Sequence, residues 1–311
     1  MRSNVNKTVP SIPAVATAGI DALAALLLRA EAVLARLESV LPVASDAVTD
    51  WSASAWRWVV NKRTGVGSLV AVPRVSEISL SDLRDVDEQK QLLVANTEQF
   101  LVGRPANNVL MTGARGCGKS SLVRALLTAY RHYGDGGLRI IEIDKHDLRD
   151  IPDIVSLISG RSERFILFCD DLSFEAGEAG YTALKSVLDG SVAAVPDNVL
   201  IYATSNRRHL MPEYFSENAA TRHVDEEVHP AEAVEEKISL SERFGLWLSF
   251  YPFSQDAYLN IVNGWLKHYG ESDAAIADAR QHALNWAVGR GSRSGRVAEQ
   301  FARDWVGQHQ S

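Results

Sequence analysis

The run Gly113-Ala114-Arg115-Gly116-Cys117-Gly118-Lys119-Ser120 is the part of this chain most plainly built for chemistry. Its glycines let the backbone bend so that successive N–H groups point at phosphate oxygens. A helix following the loop adds the positive end of its dipole. Lys119 is then placed to reach β- and γ-phosphates, and the Ser120 hydroxyl to bind Mg2+. Ser121 completes the set expected to hold the nucleotide. An apolar run at 108–112 precedes the loop and a helical pattern at 120–133 follows it, the context the motif requires. The expected ligands are ATP and Mg2+.

Two further groups could complete such a site. Phe165-Ile166-Leu167-Phe168-Cys169-Asp170-Asp171 is an apolar strand pattern ending in acids. A strand of that kind delivers carboxylates to the carboxyl edge of a parallel sheet, beside a phosphate-binding loop. Asp170 would support the metal through its water shell, and Asp171 would orient or deprotonate an attacking water. Thr204-Ser205-Asn206 closes a second apolar run, and Asn206 there serves either the γ-phosphate or as a plain turn residue. Cys117 is expected near a helix N-terminus, which lowers a thiol pKa and would expose the loop to oxidation; its plainer role is a small residue that fits the loop. His223 and His229 flank Asp225-Glu226-Glu227, a spacing that fits no helical zinc pair and reads as a surface loop.

These residues need a sheet to position them. Strand-like runs at 108–112, 139–143, 165–169, 199–204 and 247–251 alternate with helical patterns at 120–133, 147–158 and 181–188. That order predicts an α/β fold with a parallel sheet covered by helices on both faces. From 256 to 306 the pattern is helical in three stretches: 256–269, 273–288 and 295–306. Residues 206–237 are polar and lack periodicity, and read as a long loop. Near the start, apolar residues from Ile20 to Leu41 recur at helical spacing and end at Pro42, a helix that either packs on the chain or binds a partner. Trp51, Trp56 and Trp58 sit beside Arg57, Lys62 and Arg63, and either pack or stack on nucleic-acid bases. Residues 68–72 read as a short strand after a turn at Gly65 and Gly67.

Composition narrows the class. The 311 residues are 46% hydrophobic, enough for a large α/β domain and a smaller companion. With 32 Lys and Arg against 39 Asp and Glu, the net charge is -7, which argues against a protein that works by coating nucleic acid, though a local basic patch stays open. Two cysteines make no disulfide framework and fit a reducing cytoplasm. The run 22–28 falls well short of the roughly twenty apolar residues of a membrane span.

The order of P-loop, acid-tipped strand, Asn-tipped strand, Ser241-Glu242-Arg243-Phe244 and an Arg in a C-terminal helical region resembles the AAA+ ATPases. More narrowly, the chain is similar to the DUF815 family of bacterial AAA-like ATPases. The likeness lies in Ile78 to Gly103, the P-loop, Phe168-Cys169-Asp170-Asp171-Leu172-Ser173-Phe174, Ala203-Thr204-Ser205-Asn206-Arg207-Arg208-His209-Leu210, and Ile238 to Trp247. The resemblance implies an N-terminal helical, Trp-rich region over 1–75, an AAA+ core over 76–252 and a helical lid over 253–311. It implies that Asn206 reads the γ-phosphate, that Arg243 is an arginine finger acting on a neighbouring subunit, and that Arg296, or Arg293 one turn away, is the lid's sensor. It implies a homo-oligomer, a ring or filament, joined through Arg243, with an unidentified protein partner also open. The implied activity is Mg-dependent hydrolysis of ATP coupled to a conformational change. The alternative is a slowly hydrolysing nucleotide switch that recruits a protein or nucleic-acid partner. Asp171 departs from the pattern of most AAA+ ATPases, where Glu is usual, and its shorter side chain draws the carboxylate back from water.

Overall fold

The apolar runs assemble into a single seven-stranded sheet. The structure, a computed structural model, describes residues 25–33, 49–134, 136–173, 179–189, 196–206 and 240–309. The chain divides into two compact units, one of Met1–Val48 with Asn61–Val66, the other of Thr49–Val60 with Gly67–Ser311. In the first, residues 25–33 form a helix, α1, exposed along its length. The rest of the helix expected at 20–41 lies outside the described residues.

The second unit holds the sheet. Its strands are β1 (Ala55–Val60), β2 (Gly67–Ala71), β3 (Val109–Gly113), β4 (Leu138–Ile143), β5 (Arg164–Cys169), β6 (Val199–Ser205) and β7 (Leu246–Phe250), in the order β2-β1-β4-β5-β6-β3-β7. All neighbours are parallel except β1 and β2, which pair antiparallel with Trp58 opposite Leu69. The P-loop strand β3 therefore lies between β6 and β7, and the acid-tipped β5 lies on the far side of β6. The α/β class and the parallel sheet are as expected.

Helices α2 (Asp87–Leu101) and α3 (Lys119–Tyr130) pack with Val109, Met111, Ile166 and Phe168 on one face. On the other, α4 (Ile151–Ile158) and α5 (Ala179–Asp189) pack with Leu110, Phe165, Leu167 and Cys169. Successive β5 residues thus enter opposite cores, which is why its sequence is apolar without alternation. A third core joins α6 (Gln255–His268), α7 (Asp273–Arg290) and α8 (Gly295–His309) through Tyr258, Leu266, Ala283 and Phe301. Ser254 and Ser272 cap α6 and α7, accepting from the amides of Ala257 and Ala275 at 3.1 and 3.2 Å.

Several expectations change. The helix read at 147–158 is a 3-10 turn over Lys145–Asp150 followed by α4, because Pro152 sits at the first turn of α4 and has no N–H to continue a helix from upstream. The tryptophans are packing residues. Trp56 and Trp58 are buried, their indole N–H groups donate to Asp50 O and Asp150 Oδ2, and Trp51 lies 5.5 Å from Trp56. Arg57 pairs with Glu142 at 3.2 Å. A base has no stacking platform on the buried rings of Trp56 and Trp58. Strands β1 and β2 join the same sheet as the P-loop strand, so the sheet begins before the boundary expected at residue 76. Residues Asp87–Leu101 form helix α2, which the apolar spacing does not predict. The loop expected at 206–237, His223 and His229 included, lies outside the described residues beyond Asn206.

Candidate functional site

Strand β3 ends at Gly113, and the loop to α3 is shaped by what a side chain would strike. Gly113 has φ 129, and a Cβ there would stand 1.8 Å from the carbonyl oxygen of Phe250 on β7. Gly116 has φ 73, and a Cβ there would meet Ser294 Cβ and Oγ at 2.8 and 2.9 Å. The loop is therefore wedged between the sheet edge and the lid. Its apex is tied directly to the lid, since the Gly295 N–H donates to Gly116 O at 2.8 Å.

Lys119 opens α3 and is nearly buried, at 6% exposure. Its ammonium donates to Gly113 O at 2.7 Å, Ala114 O at 2.8 Å and Asn206 Oδ1 at 3.1 Å. Burial lowers its pKa from the usual lysine value, opposed by the charges of Cys117, Asp170 and Asp171. The acids meet it from β5. Ser120 Oγ donates to Asp170 Oδ1 at 2.6 Å, and Thr204 Oγ1 donates to the same oxygen at 2.6 Å. Asn206 Nδ2 donates to Asp171 Oδ1. Arg115, largely exposed, stands 3.9 Å from Asp171 Oδ2. Lys119, Ser120, Asp170, Asp171, Thr204 and Asn206, read from three separate stretches of sequence, form one connected polar cluster.

The cluster faces a cavity of about 770 Å³. The P-loop and the start of α3 form one wall, with Arg115 to Ser121 and Arg124. Segment 76–86 forms another, through Ile78, Leu83 and Arg84. The lid forms the third, through Ile261, Trp265, His268, Arg296 and Arg303. Arg296 lines the cavity; Arg293 is exposed and does not. Arg243 does not line it either, and pairs with Asp189 at the end of α5.

Cys117 requires a correction. Burial pushes its thiol above the usual range, and the charge of Lys119 only partly offsets this. Cys117 is 2% exposed, so the lowered pKa expected from the helix terminus does not arise, and the residue takes the plainer role of a small side chain that fits the loop.

Other residues of the site carry no motif in the sequence. The apolar run gives Thr204 only the place of a strand end, whereas its hydroxyl donates to Asp170. Arg84 carried no motif, yet it packs against Gly264 on α6, where a Cβ would stand 2.4 Å from its Nε. A glycine in the middle of a helix is the signal that marks such a close approach.

The structural comparisons give distant likenesses. A Thermotoga maritima RuvB variant is 14% identical with a TM-score of 0.45, over 74% of this chain and 65% of that one. The match thus spans less than two thirds of the RuvB chain. The FIGL-1 AAA domain in complex with ADP is 17% identical with a TM-score of 0.47, over 75% of each chain. A chain of the HORMA:CdnC:Trip13 complex from E. coli MS115-1 is 13% identical with a TM-score of 0.46, over 72% of this chain and 90% of that one. No curated protein matches the sequence. The family model "Protein of unknown function (DUF815)" matches residues 51–309, from Trp51 just ahead of β1 to the end of α8. By that match, which spans most of the chain and the whole of its seven-stranded α/β sheet, the chain belongs to the DUF815 family.

Proposed function

We propose that this protein binds ATP with Mg2+ in the cavity and hydrolyses it to ADP and phosphate, as a subunit of an oligomer of like chains. The observation that carries this reading is the cluster at the P-loop mouth: one ammonium, two carboxylates, an amide and two hydroxyls joined in series by hydrogen bonds, from Lys119 through Asn206, Asp171, Thr204 and Asp170 to Ser120. A generic Gly-rich turn has no use for a nearly buried lysine facing two acids.

The residues present suit Mg2+. Among the described residues no group of three or more His, Cys, Asp or Glu gathers as a protein cage. Ser120 and Asp170 offer oxygen at the foot of the P-loop, the sparse protein contribution expected of a cation that keeps its waters and binds substrate phosphates. When bound, Mg2+ supplies neutralisation of charge on the phosphate oxygens. The chain's own groups account for the remainder. Loop N–H groups and Lys119 hold the β- and γ-phosphates. Asp171 orients the attacking water and accepts its proton, while Asn206 lies between that acid and Lys119, where a γ-phosphate would be read. Arg296 reaches the cavity from the lid, so closing the lid on nucleotide links its state to the angle between lid and core.

Arg243 stands outside its own chain's cavity, which suits action on a neighbour in a ring or filament. The slower switch reading gains support from Asp171 being engaged by Asn206, and in that reading the protein recruits a partner while ATP remains bound. Both cysteines are free and buried, which supports a cytoplasmic placement. Among the described residues, no helix is long and apolar enough to cross a membrane.

The test is the ATPase rate against protein concentration for wild type and Arg243→Ala. A specific rate that rises with concentration and is lost in the variant supports the oligomeric ATPase. ATP binding with negligible turnover at every concentration supports the switch. Absence of ATP binding refutes both.

A further inference from the structure

At the carboxyl end of β5 the ladder with β6 runs to Cys169 opposite Ala203. Beyond it, β6 holds the departing chain with groups of two residues. The Leu172 N–H donates to the Thr204 carbonyl at 2.7 Å, and the Ser205 hydroxyl donates to Leu172 O at 2.7 Å. Between the end of the ladder and these ties stands Asp171 with φ 55, in the left-handed region that residues other than glycine seldom occupy. Its N–H donates to Thr204 Oγ1 at 2.9 Å.

A threonine hydroxyl carries one proton. Because Thr204 Oγ1 is the acceptor for Asp171, its own proton is free for Asp170 Oδ1, 2.6 Å away. Thr204 is 1% exposed, so water does not compete for either bond. Ser120 Oγ donates to the same Asp170 oxygen at 2.6 Å, and no described residue donates to Asp170 Oδ2. One buried hydroxyl thus fixes the backbone of one acid and the carboxylate of the other.

We infer that Thr204 is the positioning residue of the acid pair: its hydroxyl holds Asp171 in the left-handed turn and orients the Asp170 carboxylate toward the Ser120 side of the metal site. This rests on the nucleotide and Mg2+ reading above and assigns a role to a residue that reading leaves aside. Valine has nearly the same shape and no hydroxyl, so it removes both bonds at once. Serine keeps the hydroxyl and loses a methyl group.

The test uses the full chain and ATP titrations with Mg2+ and with EDTA, alongside melting temperature and single-turnover hydrolysis. Thr204→Val is expected to keep wild-type ATP affinity in EDTA and to lose roughly 10- to 100-fold of the affinity that Mg2+ adds, the usual cost of removing a partner that orients a metal ligand. Its kcat falls by a similar factor while KM in EDTA-free buffer follows the binding loss. Thr204→Ser is expected to restore both readouts. The assignment is overturned if Thr204→Val retains the full Mg2+-dependent gain. It is equally overturned if Thr204→Val and Thr204→Ser lose affinity alike with and without Mg2+, the pattern of general loosening. A wild type that gains affinity from Mg2+ yet releases no phosphate contradicts the ATPase reading and leaves the role of Thr204 standing.

Discussion

The side-chain amide of Asn206 donates to Asp171 and at the same time accepts from Lys119 at 3.1 Å. One side chain thus spans the cation that should hold a γ-phosphate and the acid that should direct water at it. A γ-phosphate entering between them would compete for both ends of the amide. It would draw the ammonium from Asn206 and offer an acceptor to Nδ2, releasing the Asp171 carboxylate. Asn206→Ala removes the link in both directions. We expect a kcat loss of roughly 100-fold, the scale of losing one donor aimed at developing charge, with ATP affinity far less affected. Steady-state kinetics beside equilibrium binding would reveal it; equal losses in both would mean that Asn206 acts in binding alone.

The left-handed φ of Asp171 accounts for its being Asp. Short polar side chains tolerate that region and longer ones do so less well, the left-handed conformation costing roughly 1–2 kcal/mol for an ordinary residue. Asp171→Glu, which lengthens the side chain at this left-handed position, is therefore expected to lower the melting temperature and leave hydrolysis no faster. Asp171→Asn should keep the fold and ATP binding while abolishing turnover. Asp171→Gly should abolish turnover and raise stability by up to about 1 kcal/mol, since glycine enters this conformation freely. Thermal melts and phosphate release across the three variants check this; a fast Asp171→Glu enzyme would show that the backbone does not set the choice.

The P-loop, both acids and Asn206 were legible because each ends an apolar strand, and parallel strands bring their carboxyl ends to one edge. Helix α2 was not. Its buried face carries Asn96 and Thr97 beside Leu93 and Phe100, so the apolar period is broken. Those two polar groups are buried because Tyr202 on β6 meets them, its hydroxyl 3.1 Å from Asn96 Nδ2 and 2.9 Å from Thr97 Oγ1. That partner is remote in sequence. The same holds for Thr204, whose bonds to Asp170 and Asp171 depend on the β5–β6 register. It holds also for Arg84, whose place against Gly264 depends on how the lid packs.

Cys169 gives a pH dependence with a definite sign. It lies buried at the end of β5, and burial, with the Asp170 charge beside it, pushes its thiol from 9.0 up to about 12. The unfolded chain releases this proton near pH 9 and the folded chain holds it to about 12. The contribution to stability is complete below pH 9 and is lost as pH rises through that window, by up to about 1.4 kcal/mol per pH unit. Cys169→Ala removes the titration. Urea unfolding of both proteins at pH 8 and pH 10 should show the wild-type advantage shrinking at the higher pH, with tyrosine and lysine effects cancelling in the difference. A constant difference would mean that the thiol titrates alike in both states.

The contact of Gly116 with Ser294 joins the P-loop apex to the lid and permits a double-mutant test. Gly116→Ala places a methyl group against Ser294 Cβ and Oγ, at 2.8 and 2.9 Å, in a left-handed residue with φ 73. Two penalties result: backbone strain of roughly 1–2 kcal/mol and a clash that pushes α8 away from the loop. The clash also threatens the bond from the Gly295 N–H to Gly116 O, and with it the approach of Arg296 to the cavity. Gly116→Ala is expected to lower both stability and ATP affinity. Adding Ser294→Gly removes the two opposing atoms and leaves the strain. The double variant should therefore recover much of the ATP affinity but little of the strain, with a coupling on the order of 0.5–3 kcal/mol between the sites. Additive losses would show that the lid yields freely and that nucleotide affinity does not depend on its seat against the loop.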